Sequence, residues 1–313
     1  MTYYIVRRFI QMIVVCFIVS VIVFGLLHLL PGGLVRAQLG QKASAYEVHS
    51  LEVQEGLLRP LPVQYGVWAW HALQGNLGFS YKLNQTVGSL LAEYLPRTLL
   101  LVGSSLLFAL AISLPMGLWQ GKRRNRPDDH VLTTVMMAFY AMPIFLLGVI
   151  LIVVLSLDIP AFPSTAANFG NSLPGDVAEL FLPVLTLTLG TVSYFSRYMR
   201  SATIDNLLED YVRTAYAKGS STRRVLYRHV LRNSILSTIT LVGLSIPYVL
   251  SGSLIVEALF DFPGVGLLFW NASQTRDYPI LLGVVLVVTV ATVVGNLMAD
   301  GAYAVADPRV RYR

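Results

Sequence analysis

Charge is scarce in this chain. Of its 313 residues only 13% are Asp, Glu, Lys or Arg, where soluble globular proteins carry about 25%. Cysteine is nearly missing as well: Cys16 stands alone inside an apolar run, so an intrachain disulfide and metal sites built on cysteine clusters are excluded. The five histidines, His28, His49, His71, His130 and His229, are scattered and read as interfacial or loop residues rather than ligands. Neither H-E-x-x-H nor G-x-S-x-G occurs, so the common zinc-hydrolase and serine-hydrolase signatures are absent. A phosphate-cradling loop is missing too. Lys122 follows Gly121 but is succeeded by Arg123, and Met116 stands where the pattern needs its first glycine. Low-complexity tracts and strong internal repeats are likewise lacking. Disordered, coiled-coil and disulfide-scaffold classes are all excluded.

What fills the chain is apolar. Hydrophobic residues make up 55% and the mean hydropathy is +0.63, gathered into long runs as an integral membrane protein requires. A hydrocarbon core of about 30 Å takes about 20 helical residues to cross. Six segments meet that test: Phe9–Leu30, Thr98–Trp119, Val131–Leu157, Leu180–Phe195, Ile235–Val256 and Ile280–Ala299. The fourth suffices if Glu179 and Arg197 reach toward the two interfaces. The first follows Arg7 and Arg8 but is too long for a signal-peptide core, and Pro31-Gly32-Gly33 offers no cleavage site. It reads as an uncleaved anchor.

Basic residues set the orientation. With a cytoplasmic N-terminus, 17 of the 23 Lys and Arg fall inside, leaving Arg36, Lys42, Arg59, Lys82, Arg97 and Arg276 outside. The expected fold is therefore an all-α integral membrane protein with six transmembrane helices and both termini inside. Its expected divisions are residues 1–30 as N-terminus and first span, 31–97 as an extracytoplasmic region, and 98–313 as the membrane core. That core holds helices at about 98–119, 131–157, 180–195, 235–256 and 280–299, with a cytoplasmic loop at 197–234 between the fourth and fifth. The net charge of +6 follows from topology, and no nucleic-acid partner is implied.

All six spans are free of Asp, Glu, Lys and Arg across their centres. Asp158, Glu179, Glu257 and Asp300 lie at span ends. Proton- and sodium-coupled carriers usually bury ionisable groups at mid-membrane, so an autonomous secondary carrier is disfavoured. Prolines recur within spans at Pro115, Pro143, Pro183 and Pro247. They read equally as hinges along a gated path or as ordinary tolerance of proline in membrane helices.

The loop 203–232 carries the most information. Leu207, Leu208, Tyr211, Val212, Ala215 and Tyr216 recur at helical spacing and form one apolar stripe, while Asp205, Glu209, Asp210 and Arg213 lie off it. Lys218-Gly219 ends this helix with a glycine cap. Ser220, Ser221 and Thr222 are N-cap candidates for a second helix whose apolar side is Val225, Leu226, His229 and Val230. Such an amphipathic hairpin fits the membrane surface, a packing role against the chain's own spans, or a docking role for a soluble partner.

A resemblance shifts that balance. The run Asp210-Tyr-Val-Arg-Thr-Ala-Tyr-Ala-Lys-Gly219, followed by Arg223-Arg224-Val225-Leu226 and Arg228-His229-Val230-Leu231-Arg232-Asn233, resembles the EAA-type coupling loop of ABC importer permeases. More narrowly it resembles the dipeptide/oligopeptide/nickel permease family. Other motifs agree in order along nearly the whole chain: Arg7-Arg8, Leu29-Leu30-Pro31-Gly32, Gly75-Asn76-Leu77-Gly78, Leu95-Pro96-Arg97-Thr98, Phe262-Pro263-Gly264-Val265-Gly266, Arg276-Asp277-Tyr278-Pro279 and Asp307-Pro308-Arg309-Val310-Arg311. Asn76 stands where the family more often has Asp. Arg213-Thr214-Ala215 replaces the general Glu-Ala-Ala, as is usual in the peptide branch.

The resemblance implies a non-catalytic subunit of an ATP-driven importer in a bacterial or archaeal plasma membrane. It implies a second related permease, two cytoplasmic ATP-binding subunits and an extracytoplasmic substrate-binding protein as partners. Cofactors are expected only there, as ATP and Mg on the ATPase subunits. Leu207, Leu208, Asp210, Tyr211, Ala215, Lys218 and Gly219 are the expected ATPase-coupling residues. Glu257, Asp261 and Asp277 are candidates to meet a cationic peptide terminus at the outer mouth, or are simply solvated loop charges. Peptide is the expected substrate. A nickel complex, glutathione or a sugar in the same importer type, a self-sufficient channel or carrier, and a membrane-embedded assembly or receptor subunit with no transport role remain the alternatives.

Overall fold

A computed structural model describes residues 2–29, 35, 43–54, 56–170 and 172–306, at some helix positions by backbone only. The Leu30–Gly32 end of the opening motif, Arg36, Lys42 and the Asp307–Arg311 tail lie outside the described residues. In chain order the elements are α1 (Thr2–His28), α2 (Ala45–Gln54), α3 (Leu61–Leu73), β1 (Phe79–Ser80), β2 (Gln85–Thr86), α4 (Val87–Lys122), α5 (Pro127–Ala141), α6 (Ile144–Ile152), α7 (Leu173–Leu207), α8 (Asp210–Ala217), α9 (Thr222–Arg224), α10 (Leu231–Leu259), α11 (Val265–Thr275) and α12 (Tyr278–Ala306). Wider π-helical turns extend α6 over Val153–Asp158 and join α9 to α10 over Val225–Val230. Among the described residues, the one departure from an all-α chain is an antiparallel ribbon pairing Phe79 with Thr86 and Ser80 with Gln85.

Three helices are long and apolar enough among the described residues to cross a membrane: Val87–Lys122, Leu173–Leu207 and the Tyr278–Leu297 stretch of α12. Val131–Leu157, expected as one helix, is instead broken. α5 and the α6 segment through Asp158 meet at a bend of 105°. Pro143 causes it. Met142 before it is extended (φ −79°, ψ 128°), and Pro143 caps α6 without offering an N–H. The other three span prolines sit inside continuous helices, so proline by itself does not break a span here. Counted as one span, this bent pair is a fourth; Ile10–Leu26 and Val249–Leu259 are shorter apolar stretches. A second correction concerns α4. It begins at Val87 rather than Thr98 and runs through Pro96, because the ribbon hands the chain directly into the helix, Val87 N–H donating to Gly78 O at 3.0 Å.

The chain divides into two compact units, Met1–Thr98 with Pro263–Val293, and Leu99–Phe262 with Val294–Arg313. In the first, Val87, Leu90 and Leu91 pack with Val265, Leu268, Tyr278, Ile280 and Leu281. Two pairs of distant motifs meet here. Val265 N–H donates to Thr98 Oγ1 at 2.8 Å, and Gly78 lies so close to Pro279 that a Cβ would stand 3.4 Å from it. In the second unit one core joins Leu101, Leu182, Leu187, Val256, Phe260 and Phe262. A separate cluster lies around α8.

Candidate functional site

α7 continues past its apolar stretch to Leu207, turns at Leu208-Glu209 and is followed by the eight-residue α8. α8 ends as its residues require. Gly219 has φ +78°, Ser220 N–H donates to Ala215 O at 3.1 Å, and Gly219 N–H donates to Tyr216 O at 2.9 Å. These two bonds are a Schellman cap, which satisfies carbonyls the helix leaves over. Ser221 takes the N-cap position of α9, with no capping bond from its side chain. The second helix of the expected short hairpin is longer than its apolar pattern indicated, because α9 and its π turn flow into α10.

The apolar stripe splits. Val212 and Ala215 are buried against Leu118 of α4, Met199 of α7, and Val225, Leu226 and Val230, with Leu207 and Tyr211 partly buried beside them. The Tyr211 hydroxyl donates to Asn206 Oδ1 at 2.7 Å, and Asn206 Nδ2 donates to Ser234 Oγ at 3.2 Å. α7, α8 and α10 are thus tied at one point. Leu208 is 62% exposed, and Tyr216, Asp210 and Lys218 are exposed too. The Asp210–Arg213 pair lies in water at 3.5 Å and contributes little. α8 therefore has an inner face seated on its own protein and an outer face left open.

Under that seat lies a clamp. Asp129, fully buried in the first turn of α5, accepts Arg200 Nε–H at 2.8 Å, a second guanidinium N–H at 2.7 Å, and the Asn125 backbone N–H at 3.1 Å. Arg200 follows Met199, the α7 residue that packs beneath α8. On the neighbouring helix, Gly117 and Gly121 approach α7 so closely that added Cβ atoms would stand 2.6 Å from Met199 Cβ and 2.5 Å from Thr203 Cγ2.

The three outer-mouth candidates part company. Glu257 is fully buried within α10, and Asp277 is 2% exposed at the turn into α12, where it accepts the Ser80 hydroxyl. Neither is the loop-surface charge expected, since residues 257–279 are mostly helix. Asp261 alone is exposed, in the left-handed region at φ +51°. Burial pulls the Lys82 ammonium below the ordinary lysine range, and the Asp277 charge partly opposes it.

Comparison with known proteins identifies the family. The family described as binding-protein-dependent transport system inner membrane component matches residues 113–312, and the N-terminal model of such membrane components matches residues 1–102. The chain belongs to this family. It is the permease subunit of a binding-protein-dependent ABC importer, a multi-pass inner-membrane protein whose part in transport is non-catalytic. The permease is 38% identical over 300 residues, 93% of each chain, to a putative peptide permease protein of Brucella ovis. It is 36% identical over the full length of both chains to the oligopeptide transport system permease protein AppB of Bacillus subtilis. It is 34% identical over 99% of both to the glutathione transport system permease protein GsiC of Salmonella choleraesuis. Inward-facing structures of the MetNI methionine ABC transporter share its fold, with TM-scores of 0.56 and 0.60, 15% identity, and coverage of 70% of this permease and 96% of theirs.

The motif resemblance is borne out. The clamp was missed in the sequence, because nothing in the linear pattern pairs Asp129 with Arg200. The close approach of α4 to α7 carried a readable signal, the Gly117-x-x-x-Gly121 spacing of tightly packed membrane helices.

Proposed function

We propose that this permease forms half of the translocation path of a peptide importer. The observation that carries the reading is the 36–38% identity, over nearly whole chains, to proteins named as peptide and oligopeptide permeases. In this reading six spans cross a bacterial or archaeal plasma membrane with both termini inside, residues 31–97 lie outside, and 98–313 form the core. A second related permease completes the path, two ATP-binding subunits that hold ATP and Mg dock on the 197–234 loop, and a binding protein delivers substrate outside. The relatives named for glutathione, itself a tripeptide, support a second substrate of the same chemistry.

The split of α8 sharpens the coupling roles. Leu208, Asp210 and Lys218, with Tyr216, form the open face that meets the ATPase. Leu207, Tyr211 and Ala215 hold the helix on its seat, so a push on α8 moves α4, α7 and α10 together. Gly219 sets its exit angle. Asp261 is the remaining exposed carboxylate of the outer-mouth set.

Leu208→Glu is expected to leave thermal stability within about 0.5 kcal/mol, as exposed positions do. Loss of an apolar anchor and gain of a charge should cost about 2 kcal/mol of docking. The check is ATPase recovered with tagged permease, and undiminished recovery would remove Leu208 from the interface. Gly219→Val meets nothing within 4 Å at its Cβ, so backbone conformation alone penalises it, by about 1–3 kcal/mol. Uptake should fall while the protein stays in the membrane. Gly219→Asn should be milder, since Asn tolerates the left-handed region; normal uptake by the valine variant would end the role given to Gly219.

The whole assignment is tested by purifying the chain from its native membrane and assaying reconstituted uptake. Co-purification of a second permease with two ATPase subunits, and ATP-dependent uptake of labelled di- or oligopeptides, are expected. Recovery of the permease alone, where a known complex survives, overturns it.

A further inference from the structure

The helix α3, Leu61–Leu73, carries no Asp, Glu, Lys or Arg along its length. None of its residues is buried. A helix lying in water keeps its apolar residues on one stripe and polar residues on the other face. Here the exposed positions are Leu61, Pro62, Val63, Gly66, Val67, Trp70, His71 and Leu73, all but His71 without a hydrophilic side chain, with Trp70 61% and Leu73 83% exposed. The inward positions are Gln64, Tyr65 and Trp68.

What those inward residues touch fixes the depth of the helix. The Tyr65 hydroxyl is 2.8 Å from Ser20 Oγ, and its ring packs edge-on against Phe17 and Phe24. Trp68 packs on Phe24, and Gln64 Oε1 is 3.0 Å from His28 Nε2. The contacts on α1 thus run from Phe17 to His28, a rise of about 16 Å along its axis. That stretch is the outer half of the first span, Phe9–Leu30. Exposed Val21, Ile22 and Leu26 on the same part of α1 continue the apolar surface. Arg59 precedes the helix and Gln74 follows it, so its polar flanks stand at its two ends, with aromatic residues between them as at a membrane interface.

We propose that α3 is embedded in the outer leaflet of the bilayer, lying against the first span with Val63, Val67 and Trp70 turned to lipid. It is a non-spanning membrane helix within a region otherwise assigned to the exterior. The inference rests on the proposed crossing of the membrane by α1. Depth and continuity with the lipid-facing flank of α1 favour lipid over a protein partner on this face.

The test is nitroxide labelling in the assembled transporter, reconstituted in phospholipid vesicles and otherwise free of cysteine. Single cysteines replace Val63, Val67 and Trp70 on α3, and Ile18 and Leu26 on α1 as references. Oxygen collision rates several-fold above those of a water-soluble nickel chelate are expected at all five positions. Chelate access at the α3 positions with α1 in lipid overturns the inference and spares the span. Shielding of α3 from both reagents means a protein covers it, which overturns it equally. Chelate access at Ile18 and Leu26 removes the span and the inference with it. A second measurement leaves α3 unaltered: with Trp119→Phe and Trp270→Phe, brominated lipids should quench Trp68 and Trp70, most strongly with bromine at shallow acyl carbons. Absence of quenching overturns the proposal.

Discussion

Arg200→Ala is expected to destabilise the permease by about 3–5 kcal/mol, the range for removing one partner from a buried ion pair. Asp129 has no solvent exposure and receives two of its short hydrogen bonds from Arg200. Without the guanidinium it keeps the Asn125 N–H at 3.1 Å and only a marginal contact with Thr133 Oγ1 at 3.5 Å. The opposite deletion is gentler. The Arg200 side chain is 24% exposed, so in Asp129→Asn it can turn toward water, and the asparagine still accepts a bond. About 1–2 kcal/mol is expected there, near the net worth of one hydrogen bond. Thermal unfolding of the purified complex measures both. An Arg200→Ala protein within about 0.5 kcal/mol of the parent, the range of surface changes, would show that the pair does not hold α5 to α7. Because Met199 adjoins Arg200 and supports α8, peptide uptake should fall further than ATP hydrolysis in the same variant.

That clamp marks the boundary of what one-dimensional pattern reveals. The apolar runs marked where helical chain lies, because bilayer thickness and helical rise constrain length directly, but neither the break at Pro143 nor the start of α4 at Val87 could be read from them. Gly219 was readable because a glycine just past an apolar helical stripe is a common left-handed stop. The stripe on α8 was readable too, but periodicity states that a face is covered and not by what. Val212 and Ala215 turned out to be covered by Leu118, Met199 and Val225 of the same chain, leaving Leu208 and Tyr216 open. Asp277 looked like a loop charge since nothing near it in sequence could bury it. Its hydrogen-bond partner Ser80 lies 197 positions away. Pro143 broke its helix and Pro183 did not. Met142 before Pro143 is extended, whereas α7 continues helically through Pro183 among buried neighbours. That difference resides in tertiary packing rather than in the proline.

Gly117→Ala and Gly121→Ala should each cost about 1–3 kcal/mol by overpacking, while Gly103→Ala on the same helix should stabilise by up to about 1 kcal/mol through helix propensity. The contrast isolates packing from backbone preference, since all three glycines are helical positions of α4. A Cβ on Gly103 meets nothing within 4 Å, whereas one on Gly121 stands 2.5 Å from Thr203 Cγ2, 2.6 Å from its Cβ and 3.2 Å from the Arg200 carbonyl. Thr203 is fully buried and β-branched, so it has little freedom to rotate aside. On Gly117 the added atom would meet Met199 Cβ at 2.6 Å and the Arg200 nitrogen at 2.9 Å. Relief therefore requires α4 and α7 to separate, which draws Leu118 and Met199 apart beneath α8. Uptake per ATP hydrolysed should drop in both variants and stay at the parental ratio in Gly103→Ala. Equal stability across the three alanine variants would mean that the helices can separate at no cost, and the seat of α8 would then not be the rigid element through which its movement reaches the spans.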